Sequence, residues 1–479
     1  MQSTIEAIKG LFYSYNKAEI KNIYKIPQSG GDREYYRIET SKESFIATHN
    51  KNIKENKTFL YFSQHFKQCH CPVPDIYAVN DERTIYIQQD FGKSSLLNVL
   101  EENGYTNEVF ALFQKSLQQL ANLQINGDKN LDYNQCITSK EFGKQAIISD
   151  LLYFKYYFLD TLKIPYDKEK LLEDFEALGT YLSHAGYKYF MYRDFQSRNV
   201  MIQNDEVHFI DYQGGMKGAL QYDVASLLWQ AKAKLSDEWK TGLLNYYMDC
   251  VENILQKKID RIRFESQYNG YVLIRLLQVL GAYGFRGLFE RKAHFLTSIP
   301  LGLRNLKWFI ENKNAGIALP EFENLLKLIV DNKIIDSFEP IRATEETPLL
   351  VTINSFSYKN GIPPDSSENG GGFVFDCRGI LNPGRIDKFK KLSGLDKPVK
   401  DYLEQETDMP TFLNSVFDLV DISVTDYLKR SFSSLVINFG CTGGQHRSVY
   451  AAEALARHLR NKFKVKINLS HTNTQNWLK

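Results

Sequence analysis

The chain has 479 residues, of which 43% are hydrophobic and 24% charged, with a net charge of +2. That length is too great for one hydrophobic core, so two or three domains are expected. The near-zero net charge gives no global reason for a nucleic-acid or membrane partner, and any basic patch has to be local.

Six scattered cysteines (Cys69, Cys71, Cys136, Cys250, Cys377 and Cys441) suggest no disulfide framework. No apolar run approaches the roughly 18 residues of a membrane span. The opening Met1-Gln2-Ser3-Thr4-Ile5-Glu6 lacks the basic region and apolar run of a signal peptide. The expectation is a cytoplasmic protein with reduced thiols and no membrane partner.

In chain order, a helix near residues 3–18 is followed by a strand over Ile23–Gln28 and a returning strand over Tyr35–Ile38. The turn between them holds Gly30, Gly31, Asp32 and Arg33. A glycine pair there lets backbone N–H groups approach an anion, although a plain hairpin reads the same way. A strand over Ser44–Thr48 and a helix from Glu55 to Lys67 follow. Cys69-His70-Cys71 has too few ligands, too closely spaced, for a structural zinc site. Strands over Ile76–Val79 and Thr84–Gln88 lead into Gln89-Asp90-Phe91-Gly92 and a helix from Ser94 or Ser95. Helical periodicity marks Thr106–Gln124, Glu141–Thr161 and Lys168–Ala185. The aromatic stretch from Asp150 to Phe158 reads first as core, with Asp150 and Tyr153 as weaker substrate contacts.

The chemistry-bearing stretch is Tyr192-Arg193-Asp194-Phe195-Gln196-Ser197-Arg198-Asn199, followed by Phe209-Ile210-Asp211-Tyr212-Gln213. An Asp, an Asn five residues later, and a second Asp after a short apolar strand suit phosphoryl transfer to a hydroxyl. Asp194 is the expected base, with Asn199 and Asp211 as the Mg²⁺ ligands and ATP as donor. Asp223 sits near the start of an expected helix over Val224–Leu235. There it caps the helix and bonds back to the loop, a supporting role shared with Arg198. The glycine turn then reads as phosphate contact (Gly30, Gly31, Asp32, Arg33), and Gln89, Asp90 and Phe91 as the segment facing adenine.

These motifs resemble the aminoglycoside phosphotransferase and choline kinase superfamily over about the first 335 residues. The closest likeness is to its anomeric sugar kinases, carried by G-G-D-R-E-Y-Y-R-I, Y-R-D-F-Q-S-R-N-V-M, F-I-D-Y-Q-G and Y-D-V-A-S-L-L. The resemblance implies an α+β protein-kinase-like fold and phosphorylation of N-acetylglucosamine or N-acetylmuramate at C1. Two departures stand out. Tyr192 replaces the His often found two residues before the catalytic Asp. The third strand ends in Ala47, Thr48 and His49 where a Lys is usual; Arg33, Arg37, Lys51 and Lys54 are the alternatives for its charge, and Glu55 reads equally as the paired acid or as a surface residue. Helices expected over Glu238–Ile254, Arg261–Phe285 and Glu290–Asn312 carry Arg275, Tyr283 and Arg286. Late helices in this fold often close the acceptor pocket, but surface arginine is the plainer reading.

Residues 336–348 read as a linker, with 1–335 and 349–479 as separate domains. The second is a smaller α/β unit. Strands are expected over Leu349–Phe356, Phe373–Asp376, Leu435–Phe439 and Val465–Leu469, and a helix over Ser448–Asn461. Gly440-Cys441-Thr442-Gly443-Gly444-Gln445-His446-Arg447 opens that helix as a Gly-rich anion-binding loop, with Arg447 as a clamp. Cys441 and Arg447 also fit the C-x5-R loop of cysteine phosphatases. S-F-S-Y-K-N-G-I-P, F-D-C-R-G-I-L-N-P and G-C-T-G-G-Q-H-R-S-V-Y-A-A-E resemble the C-terminal domain of the RNase adapter protein RapZ. That resemblance implies a phosphorylated-aminosugar pocket lined by Ser355, Lys359, Arg378, Asn382, Thr442, Gly443, Gly444, His446 and Arg447. RNA contact through Arg457, Arg460, Lys462, Lys464 and Lys466 is a weaker expectation than a solvated helix face. A nucleotide-binding adapter without turnover is the alternative to a fused sugar kinase.

Overall fold

The computed structural model describes residues 2–26, 33–290, 295, 298–339, 349–364 and 372–478. It divides into two compact units, Met1–Phe285 with Leu301–Asn332, and Arg286–Pro300 with Lys333–Lys479.

The first unit opens with α1 (Gln2–Tyr15) and a five-stranded antiparallel sheet. Its strands are β1 (Asn22–Lys25), β2 (Glu34–Glu39), β3 (Ser44–His49), β4 (Ile76–Val79) and β5 (Ile85–Gln89), in the order β1-β2-β3-β5-β4. Alternation in β2 explains the layering. Tyr36 and Ile38 pack with Ile8 and Phe12 of α1, while Arg37 turns to the other face. Between β3 and β4 runs α2 (Ile53–Gln68), whose N-cap Asn52 accepts the N–H of Glu55. Next comes α3 (Leu96–Asn103), started by a capping box between Ser95 and Asn98.

The helical part contains α4 (Asn107–Ile125), α5 (Lys144–Tyr157) and α6 (Lys168–Ser183). Two small antiparallel pairs then form, β6 (Lys188–Met191) with β9 (Met216–Ala219), and β7 (Val200–Gln203) with β8 (Glu206–Phe209). The elements α7 (Leu220–Leu228), α8 (Asp237–Leu255) and α9 (Arg261–Tyr283) complete the core. They are followed by α10 (Ile299–Asn312), α11 (Pro320–Ile329) and the short α12 (Asn332–Ser337). The last two were not anticipated. Contrary to expectation, Arg261–Phe289 is long and apolar enough to cross a membrane by length and composition, with mean hydropathy 1.4. In this fold α9 packs against α5 and α7, and Tyr268, Tyr271 and Leu277 are buried.

The second unit is built on a parallel sheet of β10 (Leu350–Ser357), β11 (Phe373–Asp376), β12 (Ser434–Cys441) and β13 (Lys466–His471), ordered β11-β12-β10-β13. Around it lie α13 (Lys397–Gln405), α14 (Met409–Lys429) and α15 (Arg447–Lys462). Val351, Ile353, Ile437 and Phe439 of the sheet meet Leu413, Val416, Val420 and Leu455 of the helices.

Candidate functional site

The β7–β8 pairing is what brings the expected metal ligands together. Val200 lies opposite Phe209, and the ladder runs one step further through Ile210 N–H to Asn199 O, 3.1 Å. Asn199 and Asp211 therefore leave the same end of this hairpin. Asp194 precedes it on the loop after β6. Asn199 Nδ2 donates to the Asp194 carbonyl oxygen at 2.9 Å and lies 3.4 Å from Asp194 Oδ2. Gln196 Nε2 donates to Asp194 Oδ1, and Arg198 Nη2 is 3.4 Å from Oδ2. Asn199 is buried and Asp194 is half-exposed. An acceptor hydroxyl could thus reach the carboxylate while the amide stays fixed.

Two left-handed residues shape the loops, Arg193 at φ 78° and Asp211 at φ 71°. Each is a sparsely populated conformation that costs about 1–3 kcal/mol unless its surroundings enforce it. Asp223 does so for the first. Its Oδ2 accepts Tyr192 N–H and Gln124 Nε2, each at 2.8 Å, and its Oδ1 accepts Arg193 N–H at 2.9 Å. Burial pushes the Asp223 carboxyl up to about 7, against the downward pull of these bonds. Asp223 lies inside the first turn of α7 and Ala219 holds the cap position, so the expected capping role is corrected. The helix starts earlier than Val224 because Leu220 and Tyr222 bury fully in its first turn. Tyr192 is fully buried and its hydroxyl donates to the Ile210 carbonyl, tying the Asp194 loop to the residue before Asp211. Arg193 is braced by Asp150 at 2.7 Å and by the faces of Phe142 and Tyr222. Asp150 therefore supports the loop.

Arg33 lies between two acids. Its Nη2 donates to Asp211 Oδ1, and its Nε is 3.2 Å from Glu55 Oε1 in the first turn of α2. Burial disfavours its charge, but Asp211, Tyr35 and Tyr86 together outweigh that and hold the guanidinium above its ordinary value. Gln213 Nε2 also donates to Asp211 Oδ1, at 2.8 Å. Among the other proposed charge sources, Arg37 is committed to Asp90 at 2.7 and 2.9 Å and to the Gly92 carbonyl at 2.6 Å. Lys51 and Lys54 are exposed. Gly30, Gly31 and Asp32 lie outside the described residues.

The segment expected to face adenine is tightly engaged. Asp90 also accepts Ser44 Oγ at 2.7 Å and Gly92 N–H at 2.9 Å. Phe91 stacks on His208 with centroids 4.1 Å apart, and Gln89 N–H donates to Asp75 O. The side chains of Asp90 and Phe91 thus brace the turn.

Arg275 was read first as a surface residue, and the structure corrects this. It is only 7% exposed, and its Nη2 lies 3.3 Å from Asp194 Oδ1. An Arg set in the apolar stretch Tyr271–Leu277, which covers every face of the helix at that level, is the signal for burial. Tyr283, whose hydroxyl is pushed up by burial, lies in the field of Arg275 and Arg198.

In the second unit the expected residues gather at the C-terminal ends of the parallel strands, where open α/β sheets place ligands. Gly444 adopts φ 61°, and a Cβ there would lie 2.9 Å from Ser357 N. Asn473 Nδ2 donates to Gly443 O, and Trp477 Nε1 to Gly444 O, both at 2.8 Å. Cys441 Sγ is 3.2 Å from both Gly444 N and Ser448 Oγ. Arg447 is buried, and its Nη1 donates to the carbonyls of Arg378 at 3.0 Å and Ile380 at 2.7 Å. Its Nε is buried without a partner among the described residues. His446 is kept below its ordinary value by burial and bonds through Nε2 to Phe389 O at 2.9 Å. Ser355 is fully buried and pairs with His471 Nδ1 at 2.9 Å. Arg378 is exposed, pairs with Asp376 and lies over Tyr358. Lys359 and Thr442 are exposed, and Asn382 accepts the N–H of Gly384.

Residues 24–254 match the family described as phosphotransferase enzyme family, and residues 349–475 match the RapZ C-terminal domain. The chain is similar to a nucleotide-binding protein of Clostridium acetobutylicum, 39% identical over 126 residues, covering 26% of this chain and 41% of the relative. A nucleotide-binding protein of Endomicrobium trichonymphae is 39% identical over 137 residues, covering 28% and 46%. The chain thus spans under half the length of these curated relatives. Among solved structures, a choline kinase from Streptococcus pneumoniae aligns at 13% identity and TM-score 0.45, over 64% of this chain and 99% of that one. An ADP-bound aminoglycoside phosphotransferase aligns at 14% and 0.43, over 67% and 98%.

Proposed function

We propose that this chain, a phosphotransferase-family domain joined to a RapZ C-terminal-type domain, is an ATP- and Mg²⁺-dependent sugar kinase acting in the cytoplasm. Its acceptor is the anomeric hydroxyl of N-acetylglucosamine or N-acetylmuramate, and its second domain binds a phosphorylated aminosugar. The domains are assigned to 1–335 and 349–479, with 336–348 as linker. The family match supports phosphoryl transfer of the kinase type.

The observation that carries the reading is the convergence of Asp194, Asn199 and Asp211 around one hairpin end, on loops enforced by Asp223 and Tyr192. A carboxylate and an amide oxygen are the hard donors Mg²⁺ prefers, and Mg²⁺ takes few protein ligands when phosphates supply the rest. When bound, it neutralises charge developing on the phosphates. Asn199 and Asp211 would hold it. Asp194 takes the proton of the acceptor hydroxyl as its oxygen bonds to the γ-phosphorus and the bond to ADP breaks. Such a base contributes on the order of 10²–10⁴ in rate. The guanidiniums of Arg275 and Arg198 beside Asp194 make the acceptor side unfavourable to cations. This supports a neutral or anionic sugar.

The test is phosphorus NMR of the full chain with ATP, Mg²⁺ and either sugar, beside Asp194→Ala. A sugar 1-phosphate signal absent in the variant is expected. ATP binding without transfer to either sugar would instead favour a nucleotide-sensing adapter. A second reading, a phosphatase centred on Cys441, is favoured by the N–H of Gly444 and the hydroxyl of Ser448 on its sulfur. Hydrolysis of p-nitrophenyl phosphate that survives Cys441→Ser would remove it.

A further inference from the structure

We infer that Arg33 is a positioning residue that replaces the missing third-strand lysine and also serves as the internal counter-ion of Asp211. This rests on the nucleotide-site reading above. The argument starts from β3. It ends in Thr48 and His49, with Thr48 fully buried opposite Tyr35, and His49 paired with Glu34 at 3.0 Å. Neither side chain places a permanent cation over the site. The neighbouring strand does so instead. Arg33 stands immediately before β2, one residue from the pair of Glu34 with His49, so its long side chain starts beside the end of β3.

From there the guanidinium contacts Glu55 through Nε and Asp211 through Nη2, with side-chain exposure of only 15%. A planar fork with several donors can make both contacts at once, where a single ammonium is a point charge. The bond to Asp211 has a consequence. Asp211 Oδ1 already accepts Arg33 and Gln213, so Arg33 competes with a cation for that oxygen. Its contact with Glu55 uses a different nitrogen, Nε, and can remain. Arg33 then swings its Nη groups from Asp211 toward the phosphates, while Glu55 keeps it anchored to α2. Before nucleotide arrives, the same residue neutralises the carboxylate. One cation thus serves two states, and its exchange couples the α2 helix to occupation of the Asp211 site.

The test measures binding, not turnover. Affinity for a non-hydrolysable ATP analogue with Mg²⁺ is measured by calorimetry on the full chain. Affinity for Mn²⁺ alone is measured by electron paramagnetic resonance of the free ion. Arg33→Met is expected to weaken analogue binding about tenfold or more, because a charge-assisted contact to phosphate is lost. Arg33→Lys is expected to recover part of the loss, since one cation remains, but not all of it, since an ammonium lacks the fork that reaches both Glu55 and the phosphates. Mn²⁺ alone should bind Arg33→Met more tightly than wild type, because Asp211 has lost its competitor. A residue that merely braced the fold would weaken both. Equal analogue affinity in Arg33→Met and wild type, or Mn²⁺ binding that is unchanged or weaker in the variant, overturns the inference while leaving the kinase reading in place. Absence of analogue binding to wild type overturns the nucleotide site itself and the role of Arg33 with it.

Discussion

Asp223→Asn tests whether the Asp194 loop is held from beneath. The carboxylate has two acceptor oxygens facing three donors: Tyr192 N–H and Gln124 Nε2 on one, Arg193 N–H on the other. An amide keeps only one acceptor. If its oxygen takes the first position, its NH₂ faces the Arg193 N–H, donor against donor. A buried donor left unsatisfied costs about 1–3 kcal/mol. At pH 8, above the value of about 7 to which burial pushes Asp223, the wild-type carboxylate is ionised and the comparison is clean. For a unit of this size the loss corresponds to a melting shift of roughly 2–6 °C. The damage falls one residue before Asp194, on a left-handed Arg193 whose N–H has no other partner among the described residues, so ATP-dependent transfer should fall more steeply than stability. Calorimetric melting and transfer rate on the same samples decide it. A variant with wild-type melting and rate at pH 8 would show that the loop is positioned by something other than Asp223.

Tyr192→Phe removes the hydroxyl from the Ile210 carbonyl in a fully buried site, so it should cost about 1–3 kcal/mol in urea unfolding and weaken Mn²⁺ binding near Asp211. Glu252 accepts Arg261, Lys258 and the Ile259 N–H, and these contacts pull its carboxyl down to about 2. Its folded value is below the unfolded value of about 4.3, so its contribution is present above pH 4.3 and is lost as pH falls toward 2. The stability gap between wild type and Glu252→Gln should therefore narrow across that window, and a constant gap would refute the assignment. Gly440→Ala would place a Cβ 2.4 Å from Tyr358 Cε2 and 2.5 Å from Phe356 Cζ. It should destabilise the second unit by about 1–3 kcal/mol and weaken binding of a hexosamine phosphate in calorimetry.

The Asp194–Asn199–Asp211 arrangement was legible because its parts are close in sequence and joined by one short hairpin. Local spacing alone nearly determines how they meet. The strands of the second unit were legible for a local reason too, since buried strands such as Leu435–Phe439 are apolar runs broken only by Asn438. What was not legible depends on distant packing. Nothing near Arg275 in sequence says that its helix crosses beneath Asp194, 81 residues away. The start of α7 was misplaced because Leu220 and Tyr222 have no capping residue before them, and tertiary burial sets the boundary. Asp90 looked available because its partner Arg37 lies 53 residues upstream, on another strand.

Arg33 shows the same limit from the other side. A motif search looks for a lysine at a fixed place on the third strand, but the site requires only a cation at a place in space. Antiparallel pairing offers two chain positions from which to reach it, the end of β3 or the start of β2, because these lie side by side in the ladder. A side chain as long as arginine can serve from either. The acid on α2 does not change place, since Glu55 remains in the first turn of that helix. Loss of the expected lysine is therefore weak evidence against phosphoryl transfer unless the neighbouring strand also lacks a cation within reach of that acid, a condition that Arg33 does not meet.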